Sequence, residues 1–280
     1  MSLIATMQGR LLPPEGGHFQ SFPRTRWRDE FTFAVKAGLD AIEWIFDAYG
    51  EDANPITTDA GIAEMNALTA KTGVVVRSLC ADYFMDKPFL RTTVDQRRDR
   101  IEKFRWLLSR CVSVGIGRIV IPFVDQSRIN NETEKREVSS ILQALLPAAS
   151  AHAVELHLET SLSPKEFAAL LEENPHPLIR VNYDSGNSAS LGYLVHDEFA
   201  AYGHRVGSVH IKDRVRNGGT VPLGTGHVDF PSLFRSLAGA NYGGDYVLQI
   251  ARPESGQEIE WLSQNRAWLA SQIEQMKGAQ

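Results

Sequence analysis

Three side chains capable of metal chemistry lie where three successive predicted strands end. Glu159, Asp184 and His210 each lie at or next to the end of a short apolar run that leads into a polar loop. A histidine at the mouth of a buried parallel strand suits a metal better than it suits a core. Taken singly, each residue also fits a plainer role, such as capping its strand or pairing with a nearby Arg or Lys. Together the three predict a divalent-cation site.

The chemistry of such a site follows from its donor atoms. Two carboxylates and an imidazole that leave coordination positions open suit Mn²⁺, Zn²⁺, Co²⁺ or Mg²⁺. The eighth predicted strand adds a fourth donor, Gln249. A bound ion would polarise adjacent oxygens of a polyol and stabilise the enediolate that forms when a proton leaves carbon. We therefore predict one bound divalent metal and an enediolate reaction.

Eight strand-like runs, each followed by a helix or a segment of helix length, carry these residues. The runs cover residues 3–7, 39–45, 74–79, 118–124, 154–159, 178–184, 206–211 and 245–250. Such alternation is typical of a (β/α)8 TIM barrel, in which all the strands end at one face. Among the helices, one is predicted to be capped by Asp59 and another to begin at Ser163 and Pro164. We predict a single TIM-barrel domain spanning residues 1–280.

The composition is ordinary for a globular protein, with 43% hydrophobic and 22% charged residues. A net charge of −5 argues against a nucleic acid or an anionic membrane surface as the main partner. Only two cysteines are present, Cys80 and Cys111, which fits a reduced cytoplasm. The first thirty residues do not have the pattern of a signal peptide, and no window has the roughly 18 apolar residues of a membrane span. We expect a cytoplasmic protein without a nucleic-acid or membrane partner.

Four runs around the candidate ligands carry a family resemblance. They are HLET at residues 157–160, NYDSGN at 182–187, VHIKD at 209–213 and VPLGTGHVDF at 221–230. These runs resemble the xylose isomerase-like TIM-barrel superfamily, and most of all its L-ribulose-5-phosphate 3-epimerase and hexulose-phosphate isomerase branch. The resemblance spans all eight strand–helix units and is strongest from residue 154 to residue 252.

The resemblance implies a sugar or sugar-phosphate isomerase or epimerase with a single divalent metal, often Mn²⁺. In this superfamily the metal is held by Glu, Asp, His and a second Glu. Glu159, Asp184 and His210 match the first three positions, whereas Gln249 stands where the family usually has the second Glu. An amide oxygen can bind a metal, but the Gln side chain cannot accept a proton from carbon at neutral pH.

This departure bears on the reaction. The 3-epimerases of the superfamily use two glutamates on opposite faces of the sugar, and Gln249 removes one of them unless Glu43 or a water replaces it. Aldose–ketose isomerisation through a cis-enediol needs only one base, which Glu159 can supply. The sequence therefore favours one-base isomerisation, or another enediolate reaction, over a standard epimerisation.

Five further strand-end side chains are predicted to contact substrate. They are Arg10, Glu43, Asn187, Lys212 and Arg252. Lys212 and Arg252 would steady substrate oxygens or a phosphate, and Lys212 is expected to share catalysis with Glu159. The plainer alternatives are ion pairs for the charged residues and a helix N-cap for Asn187.

The leading hypothesis is a metal-dependent isomerase or epimerase of a small sugar or sugar phosphate, and two other classes stay open. A lyase similar to the inosose dehydratases of the superfamily would reveal itself by net loss of water. A sugar-binding protein with altered catalysis is the third class, because Gln249 replaces Glu. AP-endonuclease chemistry on this scaffold needs more strand-end histidines, for three zinc ions, than the sequence offers. Barrels of this kind often form homo-oligomers, but the sequence leaves the oligomeric state and the sugar open.

Overall fold

The eight apolar runs pair side by side, all parallel, and close into a barrel in this computed structural model, which describes residues 2–278. The barrel strands are β1 (Ile4–Met7), β2 (Ala41–Ile45), β3 (Val75–Cys80), β4 (Arg118–Phe123), β5 (Glu155–Thr160), β6 (Ile179–Asp184), β7 (Val206–Ile211) and β10 (Tyr246–Leu248). β1 pairs with both β2 and β10, which closes the barrel. The predicted (β/α)8 TIM-barrel fold is confirmed.

Helices follow the strands and surround the barrel. They are α1 (Asp29–Ala37), α2 (Asp59–Thr72), α3 (Tyr83–Asp86), α4 (Val94–Val114), α5 (Glu132–His152), α6 (Pro164–Glu173), α7 (Ser185–Leu191), α8 (Val195–Tyr202), α9 (Phe230–Gly239) and α10 (Glu258–Gly278). Ser163 caps α6 as predicted, with Glu166 completing a capping box. The predicted cap of α2 was wrong by one residue, because Thr58 accepts the hydrogen bond from the Gly61 amide.

A short antiparallel hairpin that the sequence pattern did not predict follows β7. It consists of β8 (Asp213–Arg214) and β9 (Thr220–Val221). Two residues per strand are too few to show a period in the sequence. The hairpin matters because it carries Arg214 to the carboxyl ends of the barrel strands.

The apolar core lies between the barrel and the helices. Leu156 and Leu158 of β5, for example, are fully buried, while Glu155, His157 and Glu159 alternate with them. Successive strand residues point to opposite faces, so the leucines face the helices and the polar residues face the barrel interior. Burying one such leucine contributes about 1.5–3 kcal/mol to stability.

The barrel interior is polar for much of its length. Buried polar residues on the barrel strands or adjoining their ends include Thr6, Gln8, Glu43, Ser78, His157, Glu159, Asn182, Asp184, Ser208, His210 and Gln249. TIM barrels are usually filled by branched apolar side chains. A polar interior requires a hydrogen-bond or ion partner for each buried group. The groups left without such a partner therefore indicate where a ligand belongs.

Two glycines allow the close approaches on which the carboxyl-terminal face depends. Gly9 has a left-handed φ of 79°, and a Cβ there would lie 2.8 Å from the Ser21 carbonyl oxygen. At Gly186 a Cβ would lie 2.7 Å from Cγ of Lys212, so glycine is needed for that lysine to pack over α7. None of the helices described between residues 2 and 278 combines the length and the hydropathy that crossing a bilayer requires.

Candidate metal centre and active site

Glu159, Asp184 and His210 meet at the carboxyl-terminal mouth of the barrel. One ligand atom from each lies within 4.8 Å of the other two. His210 Nδ1 lies 3.3 Å from Glu159 Oε2 and 3.9 Å from Asp184 Oδ2. They converge because β5, β6 and β7 are neighbours in the barrel and deliver these side chains at the same level.

Donor atoms that face this space lack ordinary partners. Among the described residues, neither His210 Nδ1 nor Gln249 Oε1 has a hydrogen-bond partner, although both are buried. Asp184 Oδ2 also makes no hydrogen bond and instead lies 2.7 Å from the ammonium of Lys212. Leaving buried polar atoms unpaired costs about 1–3 kcal/mol each. A divalent cation would satisfy the oxygen atoms directly and the imidazole after loss of a proton, so the donor set fits a metal.

Glu43 contacts His210 at Nε2, the ring nitrogen that does not face the other candidate ligands. Its Oε1 lies 2.6 Å from His210 Nε2, and neither side chain is exposed. Burial opposes the charged imidazole, but the carboxylates of Glu43 and Glu159 outweigh it and raise the His210 pKa to about 10. Burial likewise opposes the charged Glu43, yet His210 leaves the Glu43 pKa below its ordinary value. Glu43 does not line the cavity where substrate would bind, and its predicted contact with substrate stays a prediction.

Two asparagines hold the Glu159 carboxylate. Asn182 Nδ2 donates to Oε2 at 2.8 Å, and Asn187 Nδ2 donates to Oε1 at 2.7 Å. The backbone amide of Asn187 donates to Asp184 Oδ1, so the start of α7 also orients a second candidate ligand. Both carboxylate oxygens of Glu159 are therefore held in place by neutral donors.

A column of hydrogen bonds continues below Glu159 through the barrel interior. Asn182 Oδ1 accepts from Ser208 Oγ at 2.6 Å, and Ser208 Oγ lies 2.7 Å from His157 Nδ1. The other ring nitrogen of His157 lies 2.7 Å from Glu155 Oε2 near the amino-terminal face. Burial lowers the pKa of His157, although Glu155 opposes the shift. The column anchors Glu159 to the rigid interior of the barrel.

Lys212, Arg214 and Asn187 form a polar wall beside the ligands. Arg214 Nη1 donates to Asn187 Oδ1 at 2.8 Å, and Lys212 Nζ lies 3.5 Å from the same oxygen. Lys212 was predicted as a catalytic and substrate-binding residue, and its ammonium lies in the cavity wall beside Asp184. Two cations at this wall suit a substrate with oxygen-rich or anionic groups.

Gln249 is oriented by a second network that reaches it from the β1–α1 loop. Its Nε2 donates to Gln20 Oε1 at 2.9 Å, which turns its own Oε1 away from Gln20. Gln20 Nε2 in turn donates to Asp82 Oδ2 at 2.8 Å, while the Cys80 thiol lies 3.0 Å from Asp82 Oδ1. Burial raises the pKa of Asp82 to about 6, even though the bonds from Gln20 and Cys80 oppose the shift.

These groups line a cavity of about 360 Å³ at the carboxyl ends of the strands. Its wall includes Arg10, Asp82, Glu159, Asn187, Lys212 and Gln249. The volume is of the order that holds a small-molecule ligand. Most of the residues predicted at the site are thus brought to one space.

The two predicted arginines lie in different places. Arg10 is in the cavity wall, where it donates to the Phe19 carbonyl and to Gln20. Burial lowers the pKa of Arg10 to about 9, and the positive charge of Arg252 acts in the same direction. Arg252 lies outside that wall and donates to the carbonyl oxygens of Leu12 and Phe19. Its guanidinium thus holds the β1–α1 loop in place, and its predicted contact with substrate stays a prediction.

Sequence reasoning missed Gln20, Arg214 and the partner role of Asn182. Gln20 lies in an irregular loop without a period, so nothing in the pattern singled it out. Arg214 follows Lys212 by two residues, and extending the inward-facing alternation of β7 by one step would have found it. Asn182 precedes Asp184 by two residues and could have been found in the same way.

Comparisons with known proteins agree with this geometry. The sequence profile of the xylose isomerase-like TIM barrel family matches residues 31–272. L-ribulose-5-phosphate 3-epimerase UlaE of Escherichia coli is 25% identical over 260 residues, which cover 88% of this chain and 90% of that protein.

Solved structures with the same fold include an L-ribulose 3-epimerase, with a TM-score of 0.78 and 15% identity over 100% of this chain and 97% of the other. The IOLI protein with a bound zinc atom also has a TM-score of 0.78 and 15% identity, over 98% and 99% of the two chains. At these identities the structural likeness establishes the fold.

Proposed function

Because this chain belongs to the xylose isomerase-like TIM barrel family, we propose that it is a divalent-metal-dependent isomerase or epimerase of a small ketose or ketose phosphate. The observation that carries the proposal is the meeting of Glu159, Asp184 and His210 around a common space, where buried atoms of the described residues lack hydrogen-bond partners. The name of the relative UlaE supports a sugar-phosphate substrate and a change of configuration next to a carbonyl.

The metal would be held by Glu159, Asp184, His210 and Gln249. Two carboxylates, one imidazole and one amide oxygen suit Mn²⁺ well, and Zn²⁺, Co²⁺ or Mg²⁺ are compatible with the same set. Bound there, the ion supplies Lewis acidity that stabilises negative charge on adjacent substrate oxygens. The zinc atom of the IOLI structure supports a metal on this fold.

Glu159 is the residue best placed to move a proton. Its carboxylate lines the cavity, and the amides of Asn182 and Asn187 hold both of its oxygens. It would remove the proton from the carbon next to the substrate carbonyl, which gives an enediolate. Gln249 cannot do this, because an amide does not accept a proton at neutral pH.

Substrate oxygens would be steadied by the cations of the cavity wall. Arg10, Lys212 and Arg214 all line the cavity, and each can donate to a hydroxyl or to a phosphate. Lys212 already neutralises Asp184 and would adjust its position when a metal takes that carboxylate. Asn187 would assist by orienting both Glu159 and Arg214.

A deuterium-exchange screen tests this function. Purified protein with Mn²⁺ would be incubated with ketoses and ketose phosphates in D₂O, and carbon-bound deuterium and product configuration would be followed by NMR. We expect deuterium at a carbon adjacent to the carbonyl, formation of an isomer or epimer, and loss of both after chelation. Net loss of water would instead indicate a lyase, and no exchange with any member of the panel would reject the proposal.

A further inference from the structure

Inversion at carbon needs two proton-transfer groups on different sides of the substrate, and Gln249 cannot be one of them. The inference below rests on the proposed function and concerns the second group. It must line the same cavity as Glu159, carry a titratable proton and approach from another wall. Asp82 meets these requirements.

Asp82 approaches the cavity from the end of β3. Glu159 comes from β5, and β4 lies between these two strands in the barrel. The two carboxylates also belong to separate hydrogen-bond networks, since Asp82 is bonded to Gln20 and Glu159 to two asparagines. Within the described residues the two carboxylates therefore share no hydrogen-bond partner.

The environment of Asp82 favours a group that is poised to give up a proton. Its pKa of about 6 is raised chiefly by burial and lies near neutrality, where a general acid is most effective. Gln20 and Cys80 hold one carboxyl oxygen each. Since Gln20 Oε1 also accepts from Gln249 and Arg10, its amide is fixed in one orientation.

Other ionisable groups of the cavity wall are less suitable. Asp47 accepts bonds from two backbone amides that cannot rotate, whereas the Cys80 thiol on Asp82 can turn its hydrogen away when Asp82 is protonated. Asp86 and Asp125 are exposed at the rim. Lys212 is paired with Asp184 and belongs to the same wall as Glu159. Asp82 is the carboxyl group that remains.

We propose that Asp82 is a second catalytic residue, which exchanges a proton with the substrate carbon from a different wall of the cavity than Glu159. In one direction Glu159 takes the proton, the C–H bond breaks, and its electrons form a C=C bond while the carbonyl electrons move to oxygen. The Asp82 carboxylic acid then gives its proton to that carbon, and the C=O bond re-forms. Glu159 ends protonated and Asp82 ionised, and both return to their starting states by exchange with water.

The test is Asp82→Asn, with Asp95→Asn in the exposed first turn of α4 as the matched change outside the cavity. Each epimer of the substrate found in the exchange screen would be incubated separately in D₂O with Mn²⁺-loaded enzyme. We expect Asp82→Asn to slow inversion by about 10²-fold or more. Exchange should persist with the epimer whose proton Glu159 removes and should disappear with the other, whereas Asp95→Asn should match the wild type for both epimers.

Calorimetric titration with Mn²⁺ alone and a melting curve show that Asp82→Asn still folds and binds metal. Inversion at close to the wild-type rate, or equal loss of exchange from both epimers in a folded, metal-binding variant, would overturn the role of Asp82. Wild-type enzyme that isomerises without inverting would overturn it too, while leaving the proposed function intact. Wild-type enzyme that exchanges no substrate proton would reject the proposed function itself.

Discussion

The two ends of the barrel interior each contain a buried histidine next to a glutamate, but the histidines are in opposite situations. His157, towards the amino-terminal end, has both ring nitrogens at 2.7 Å from partners, Glu155 and Ser208. His210, at the carboxyl-terminal end, has Glu43 at 2.6 Å from Nε2 and no hydrogen-bond partner for Nδ1 among the described residues. Burial lowers the pKa of His157, whereas carboxylates on two sides overcome burial and raise that of His210.

The difference separates a structural polar core from a binding site. At the amino-terminal end charges are paired, as in the ion pair of Arg118 and Asp245 at 2.9 Å. At the carboxyl-terminal end acidic groups crowd together, and among the described residues His210 Nδ1, Asp184 Oδ2 and Gln249 Oε1 lack hydrogen-bond partners. The barrel thus gains stability at one end and retains unsatisfied groups for a ligand at the other.

The largest effect is expected from exchanging each histidine for asparagine. His210→Asn should remove metal binding and lower kcat/KM on the order of 10³-fold, because a bound ion contributes several kcal/mol and each 1.4 kcal/mol is tenfold. His157→Asn should keep metal affinity but lose about 2 kcal/mol of stability, since its partners are left unpaired. Calorimetric titration measures the metal affinity of each variant, and urea unfolding measures its stability. Loss of metal binding in the His157 variant alone would reverse the assignment of the two ends.

The amino-terminal ion pair provides the next largest effect. Asp245→Ala leaves Arg118 buried without its partner and removes the acceptor of the Leu3 amide, so stability should fall by about 3 kcal/mol. Metal affinity should not change. Asp59→Ala, which breaks an exposed pair with Arg110, is the matched control and should unfold at nearly the wild-type urea concentration. Equal stability of the Asp245 variant and the control would contradict this account of the amino-terminal end.

Glu43, which contacts His210, should affect metal binding more strongly than Glu155, which contacts His157. Glu43→Gln should weaken metal binding by about 10- to 100-fold, because the charged partner of a ligating histidine fixes its ring and raises its basicity. Glu155→Gln should change metal affinity far less, since His157 is linked to the candidate ligand Glu159 only through Ser208 and Asn182. Competition with a chelator of known affinity measures both variants. A similar loss in the two would mean that Glu43 has no special relation to the metal.

A smaller effect concerns the pH dependence of stability. Burial raises the pKa of Glu30 to about 8 from an ordinary 4.5, despite the bond from the Gly9 amide. Between these values the folded protein keeps the proton and the unfolded chain loses it, so stability falls as pH rises, by up to about 1.4 kcal/mol per pH unit. Glu30→Gln should remove this slope.

Glu155 should affect the pH dependence of stability in the opposite direction, because its pKa is lowered whereas that of Glu30 is raised. Burial opposes its charge, but His157, Arg180 and Arg118 together outweigh burial and lower the Glu155 pKa below 4.5. Its stabilising contribution is present above pH 4.5 and is lost as the pH falls through the lowered value. Urea unfolding from pH 3 to pH 9 should therefore show Glu30→Gln and Glu155→Gln departing from the wild type at opposite ends of the range. Parallel curves for Glu30→Gln and wild type would contradict the burial argument.

The sequence predicted the barrel and the convergence of Glu159, Asp184 and His210 because both follow from local periodicity. Short apolar runs mark the strands, and the carboxyl ends of parallel strands meet at one face. The partners of these groups did not follow in the same way. Glu43 reaches His210 across 167 residues of sequence, and only the closure of the barrel brings them together.

Loop residues limited the prediction further. Gln20 and Arg252 are organised by contacts between the β1–α1 loop and the end of β10, for which no pattern exists in either segment. Asp82 was visible as a polar residue after β3, but its raised pKa depends on burial that the sequence does not reveal. His157 and His210 both lie in short apolar strands, so the sequence does not separate their roles. The structure does, because both ring nitrogens of His157 have hydrogen-bond partners, whereas Nδ1 of His210 has none among the described residues.

The most direct test of the metal centre is a calorimetric titration of the metal-free protein with Mn²⁺, followed by a crystal structure with anomalous diffraction from the ion. We predict one ion per chain, with Glu159, Asp184, His210 and Gln249 as its protein ligands and no binding in His210→Asn. A protein that takes up no divalent ion, or binds one equally well without His210, would contradict the account.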